Sequence, residues 1–265
     1  MPALVAGIHV LKASTIMKPK ALISWSSGKD SAWALHVMRQ ADEFEIVGAL
    51  TTVNDAFGRV SVHGLRTELL LAQVDAAKLE PVLVHIPYPC TNAVYEAAMA
   101  KEIDAAKARG ITHIIFGDLF LQDIRAYREA KLNGTGITPV FPLWLLPTDR
   151  LAAEMIDGGV EAYLSTVDPK KVPASFAGRR FDRDLLRDLP PGVDACGENG
   201  EFHTFVAAGP MLSRRILVRV GETGICVCGC AAGVIGTLAH ATYEVSCPGL
   251  TRASMMSRRK HVSTD

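Results

Sequence analysis

The 265-residue chain carries 28 Lys plus Arg against 28 Asp plus Glu, a formal net charge of zero. Hydrophobic residues make up 49% and charged residues 21%, which excludes a disordered or fibrous chain. Zero net charge argues against a strongly basic nucleic-acid binder, and a chain of this length can bury about 70% of its unfolded surface without a disulfide or metal staple.

Residues 1–16 lack helical or strand periodicity and a basic n-region, so they are expected to be a disordered extension, not a signal peptide. From 17 onward, short apolar runs alternate with helical patterns. Residues 21–25 form a strand that ends in a Ser/Gly cluster, and 31–40 carry Ala34, Val37 and Met38 at helical spacing. Residues 46–53 form a second strand. Leu65, Leu69, Ala72, Ala76 and Leu79 mark one helical face. Strands at 81–86 and 113–116 flank a helix carrying Tyr95, Met99, Ile103 and Ala106, which Gly110 stops. Strands separated by helices of this length predict an α/β fold with a doubly wound, mostly parallel sheet.

Pro139, Pro142 and Pro147 then punctuate the chain. A helix at 148–157, a strand at 161–167, a loop at 168–178, a helix at 181–189 and a strand at 214–220 predict a smaller α+β domain over 146–222. Residues 223–243 contain no Asp, Glu, Lys or Arg. Their Gly, Thr and His content argues against a membrane span. Cys226, Cys228 and Cys230 alternate, as on one face of a strand or in a metal site. The expectation for 223–265 is a poorly ordered tail, and a fragment of 17–222 should carry the working fold. The six cysteines form no CxxC pair, so reduced thiols and a cytoplasmic setting are expected.

Two motifs carry chemistry. Ser26-Ser27-Gly28-Lys29-Asp30-Ser31 sits at a strand-to-helix turn. Such a turn offers backbone N–H groups and the positive end of a helix dipole to a phosphate. The three serine hydroxyls add donors, Lys29 adds a cation, and Asp30 suits an accompanying Mg²⁺. The bland alternative is a Ser/Gly turn capping a helix. The second motif, Gly197-Glu198-Asn199-Gly200-Glu201-Phe202-His203, clusters acids, an amide and an imidazole around glycines. Thr51, Thr52, Gly117 and Asp118 fall just past strand ends, where such sheets bind ligands. There Thr51 and Thr52 would line an adenine or ribose pocket, and Asp118 would hold Mg²⁺ or position substrate. His63 and Arg66 open a helix near that edge.

The first loop resembles the SGGxDS motif of the PP-loop ATP pyrophosphatases, with Ser27 at the first Gly. GENGEFHTF resembles the ENGEYH-type motif of the diphthine–ammonia ligase family, a branch of that superfamily. With His63-Gly-Leu-Arg66, Gly117-Asp118 and residues 138–144, the resemblance covers about 17–222. It implies a Rossmann-like, HUP-type nucleotide-binding domain over 17–145 and a substrate domain over 146–222. It also implies an ATP-dependent ligase that adenylates a carboxylate, releases pyrophosphate and amidates the acyl group with ammonia. Residues 117–125 look more like those of bacterial relatives with a different acceptor, which leaves a small molecule or a protein open as acceptor.

On this reading Ser26, Ser27, Gly28, Lys29, Asp30, Ser31, Thr51, Thr52 and Gly117 bind ATP, with Mg²⁺ at Asp30. Lys29, Asp30, Glu198, Glu201 and His203 carry the chemistry. His63, Arg66, Asp118 and Asn199 bind the acceptor. Replacing Lys29 or Asp30 by Ala is expected to cut AMP formation at least ~100-fold and leave the melting temperature nearly unchanged. No nucleic acid or membrane partner is expected, and a homodimer stays open. The alternatives are a tRNA-modifying sulfur transferase and a nucleotide-binding protein without turnover.

Overall fold

The structure is a computed structural model that describes residues 17–56, 58–60, 65–229 and 235–245. The chain forms β1 (Lys20–Ser24), α1 (Lys29–Ala41), β2 (Glu45–Asn54), β3 (Arg59–Val60), α2 (Thr67–Ala76), β4 (Glu80–Ile86), α3 (Asn92–Ala108), β5 (Ile111–Ile115), α4 (Gln122–Leu132) and β6 (Thr138–Val140). Five strands pair in parallel in the order β4-β2-β1-β5-β6. β3 adds antiparallel to the end of β2. The order of connection reverses between β1 and β5. That reversal opens a crevice at the carboxyl ends of those two strands, as the doubly wound pattern requires.

Ala21, Leu22 and Ile23 of β1 are all fully buried. A strand covered on both faces needs such an unbroken apolar run. Leu22, Leu50, Val84 and Ile114 pack beneath Ile103 of α3 and Leu132 of α4. On the other face Ile23 and Ala49 meet Leu35 of α1 and Leu69 of α2. Helix α4 and strand β6 escape the sequence reading. Leu132 is the one buried residue of α4, and the helix is polar overall, so no apolar stretch marks it.

The rest of the chain forms α5 (Thr148–Asp157), β7 (Glu161–Val167), α6 (Arg183–Asp188), β8 (Phe202–Ala208), β9 (Val218–Gly229) and β10 (Ile235–Val245). Its four strands make an antiparallel sheet in the order β8-β7-β10-β9. Leu164, Phe205, Val206 and Met211 continue the core that α1 and α2 cover, so the two sheets share one apolar interior.

Two expectations need correction here. The strand placed at 214–220 begins at Val218 and runs on to Gly229. The tail expected from 223 is instead a hairpin over its described part, because Ile235–Val245 pairs with β9 and with Val167 and Thr166 of β7. Tyr243 is buried and its phenol donates to the Leu164 carbonyl at 2.8 Å. A cut at 222 would remove that contact, so 17–222 does not contain the whole fold. The uncharged stretch 223–243 lies in these strands over its described part. Among the described residues no helix is long and apolar enough to cross a membrane. The alternating Cys226 and Cys228 sit in β9. Cys230 and residues 1–16 lie outside the described residues.

Candidate functional site

The turn between β1 and α1 is held from three sides. Trp25 N–H donates to the Leu50 carbonyl at 2.8 Å, and Thr51 Oγ1 donates to the Trp25 carbonyl at 2.7 Å. From the second sheet, Val206 N–H donates to the Ser27 carbonyl at 3.1 Å, and Lys29 N–H donates to Thr204 Oγ1 at 3.0 Å. Gln73 of α2 is fully buried. Its Nε2 donates to the carbonyls of Ser27 and Val206, and its Oε1 accepts from the Trp25 indole. Gln73 therefore ties β1, the turn and β8 together. The helical periodicity of α2 hides it, because one polar residue on an apolar face reads as noise.

Ser27 has φ 71°, a left-handed conformation that favours glycine. Its hydroxyl is buried and has no hydrogen-bond partner. Ser27 is not among the residues that line the cavity beside the turn. Strain and a lost hydrogen bond each cost about 1 kcal/mol or more, partly offset by the greater chain entropy of glycine. Ser27→Gly is expected to stabilise the fold by about 1 kcal/mol, as an upward shift of the thermal midpoint.

One cavity of about 590 Å³ opens beside the turn. Ser26, Lys29, Asp30, Ser31, Thr51, Thr52, Gly117, Asp118, Glu198 and His203 all line it. The two motifs, about 170 positions apart in the chain, therefore meet at the crevice. Gly117 is essential to this approach. A Cβ there would lie 2.8 Å from the Asp30 carbonyl carbon and the Ser31 nitrogen, closer than packed atoms allow.

Several predicted residues have other work. Lys29 lines the cavity but is only 2% exposed, and its ammonium is engaged within the protein. Its ammonium donates to both Asp30 oxygens, at 3.0 and 2.9 Å, and to the Cys196 carbonyl. It also lies 5.4 and 5.5 Å from the ring centres of Phe181 and Phe202. Burial alone would lower the Lys29 pKa, but Asp30 and its neighbours hold it above its ordinary value. Asp30 is correspondingly committed to Lys29 and does not fit as a ready Mg²⁺ ligand. Among the described residues no group of three His, Cys, Asp or Glu is arranged to hold a metal. Asp118 forms an ion pair with Arg128 of α4, at 2.6 and 3.0 Å. Thr51 spends its hydroxyl on the Trp25 carbonyl. Gly28 caps α1 and is not among the cavity-lining residues.

The second motif divides in two. Gly197 has φ 71°, and its tight turn brings it against the Phe202 carbonyl. Asp194 accepts from the Cys196 and Glu198 amides at 2.9 and 3.0 Å. Glu201 is 3% exposed and accepts from the Asp194 amide and the Asn199 side chain. Glu201 and Asn199 thus build the turn and are not among the residues lining the cavity, which corrects their assignment to chemistry and acceptor binding. Glu198 and His203 do face the cavity. Arg66 is exposed and bridges Arg59, outside the lining set. His63 lies outside the described residues.

Glu198 accepts from the Leu119 amide at 2.8 Å. Burial pushes its carboxyl up from 4.5 to about 7, helped by the nearby Asp30 charge. Burial and then the Lys29 charge push His203 down from 6.5 to about 4, so its imidazole is neutral at pH 7. Burial also raises the Cys196 thiol, which leaves it protonated and unreactive. The two shifted groups act in opposite directions on stability. A raised carboxyl binds more protons folded than unfolded, so Glu198 lowers stability as pH rises from 4.5 to 7. A depressed imidazole binds fewer, so His203 raises stability from pH 4 to 6.5. They offset each other between 4.5 and 6.5. Glu198→Gln keeps the acceptor for Leu119 and removes one side of the balance. Denaturant titrations should show the variant gaining stability from pH 4 to 6.5 more steeply than the parent, and exceeding it above pH 7.

Two comparisons bear on identity. Residues 147–227 match the family model of the diphthamide synthase C-terminal domain. The diphthine–ammonia ligase of Rattus norvegicus is 30% identical over 111 residues, which cover 40% of this chain and 42% of the rat protein. The match thus spans about two fifths of the relative's length. Through residues 147–227 and over these partial matches, the chain is similar to the diphthine–ammonia ligases.

Proposed function

We propose that the protein is an ATP-dependent ligase that adenylates a carboxylate, releases pyrophosphate and amidates the acyl group with ammonia. The observation that carries this reading is the meeting of the β1–α1 turn with Glu198 and His203 in one cavity. The turn fits a nucleotide phosphate: small residues, the first turn of α1 and Gly117 leave room for close backbone approach. Ser26 and Ser31 would hold it, with Thr52 on the nucleoside side. ATP supplies an activated phosphoryl centre that turns a carboxylate oxygen into a leaving group. Mg²⁺ would come with the nucleotide and find its protein ligands elsewhere than at the committed Asp30.

The chain's own residues supply position and proton transfer. Glu198, titrating near 7, is poised to take a proton from ammonium at its carboxylate oxygen. Neutral His203 offers a hydrogen bond without adding positive charge. The paired Lys29 and Asp30 fix the turn. A cytoplasmic setting and a carboxylate acceptor, small or protein-borne, belong to this reading. The sulfur-transferase alternative needs a reactive thiol near the nucleotide, and Cys196 with its raised pKa is a poor one.

The test is release of AMP and pyrophosphate from ATP, with ammonium and a panel of carboxylates. The parent protein should form both products together with the amide. Glu198→Gln should lower the rate at least ~100-fold, the usual scale for a lost general base. The parent rate should rise with pH through about 7 as Glu198 loses its proton. ATP binding without pyrophosphate release under all these conditions would favour a nucleotide sensor.

A further inference from the structure

The cavity is longer than the phosphate turn needs. From Ser26 and Gly117 it runs down the face of the sheet between α3 and α4, over Ile114 and Phe116, as far as Leu132 and Thr135. Tyr95, Met99 and Ile103 of α3 form one wall. Tyr95 and Ile103 lie eight positions apart on the helix, a rise of about 12 Å. A nucleotide anchored at the first turn of α1, with its base near Thr52, leaves this chamber unfilled.

The chamber has an apolar body, and the charges on its walls are already neutralised. Arg128 pairs with Asp118, and its guanidinium lies 4.5 Å from the Phe116 ring centre. Lys131 of α4 pairs with Glu96 of α3 at 2.7 Å and bridges the two helices. Asp104 lies 3.8 Å from Lys107. A charged body would have to break one of these pairs or lie unpartnered against Met99, Ile103 and Ile114. An apolar body would gain by burial.

We propose that the chamber between α3 and α4 binds the acceptor, and that the acceptor is a carboxylic acid with an uncharged, extended apolar body. Its carboxylate lies at the turn beside Glu198 and His203, and its body runs toward Leu132. This rests on the ligase reading for the role of the carboxylate. The chamber itself can be tested without turnover.

The probe is a series of straight-chain monocarboxylates from acetate to decanoate. Binding to the full chain is measured by calorimetry with a saturating ATP analogue that cannot be cleaved between the α and β phosphates. Affinity should rise about fourfold per added methylene until the chamber is filled. Met99→Trp should abolish that rise while changing the affinity for the ATP analogue by less than about twofold. If the tryptophan variant does not fold, Met99→Phe supplies the smaller insertion and should shorten the chain length at which affinity levels off. Affinity independent of chain length would overturn the proposal. Mutual displacement of carboxylate and analogue would also overturn it, giving the chamber to the nucleotide base. Neither result depends on product formation. A protein that releases pyrophosphate without a chain-length effect therefore refutes the chamber alone, and one that shows the effect without release refutes the ligase reading alone.

Discussion

Lys29→Met is expected to cost the fold about 3 kcal/mol and to remove activity as well. The substitution keeps the aliphatic stem among Phe181 and Phe202 but deletes a buried ammonium. Breaking a buried pair by taking one partner leaves the other uncompensated, at about 3–5 kcal/mol. Asp30 is still 25% exposed and recovers some hydration, which places the loss at the lower end. The Cys196 carbonyl also loses its donor. The sequence alone suggests a lysine facing phosphate, whose loss would spare the melting temperature; the cage around its ammonium reverses that expectation. The double variant Lys29→Met with Asp30→Asn removes both charges and should recover more than half of the lost stability. It should not recover AMP formation if the turn must be held at Cys196 for the two motifs to meet. Denaturant midpoints and AMP assays on the two variants separate these effects.

Gly117→Ala is the second substitution with a large expected effect. One methyl would sit 2.8 Å from two backbone atoms and 2.9 Å from the Asp30 carbonyl oxygen. Backbone cannot swing aside as a side chain can, so β5 and the start of α1 must separate. The expected result is at least a ~100-fold weaker affinity for the non-cleavable ATP analogue, since misplacement by about 1 Å costs that much in a positioned site. Stability should fall by about 1–3 kcal/mol, the range for forcing extra methyl groups into a packed region. Calorimetric titration at a temperature where the variant is folded checks the first figure and thermal unfolding the second. Near-parental affinity in a folded Gly117→Ala protein would move the nucleotide away from the β1–β5 crevice.

The parallel sheet was legible because its strands are covered on both faces and its helices carry apolar periods. Residues 148–157 and 161–167 read as α5 and β7 with the bounds found in the structure. Helix α4 was illegible for the opposite reason: it stands over the chamber and buries one residue. β8 was hidden inside a motif that draws attention to its polar residues. At the site, glycine and small residues announced the turn, and Glu198 and His203 announced the second motif. Spacing does not tell which of two acids three positions apart faces a cavity and which braces a turn. Asp194, Gln73 and Arg128 carry no local signal, since each takes its meaning from a partner distant in the chain or from its fit in a turn.

The clasp between Ser27 and Val206, and between Lys29 and Thr204, has a consequence for how the molecule comes apart. The β1–α1 turn is not held by its own hydrogen bonds alone, because strand β8 from the other sheet supplies two more. Melting of the antiparallel sheet would therefore release the turn, and loss of the turn would strip β8 of partners. Heat should take both sheets in a single calorimetric transition whose van't Hoff and calorimetric enthalpies agree. A nucleotide bound at the turn would then protect amides in β8 from hydrogen exchange as strongly as those in α1, because Ser27 and Lys29 are hydrogen-bonded to that strand.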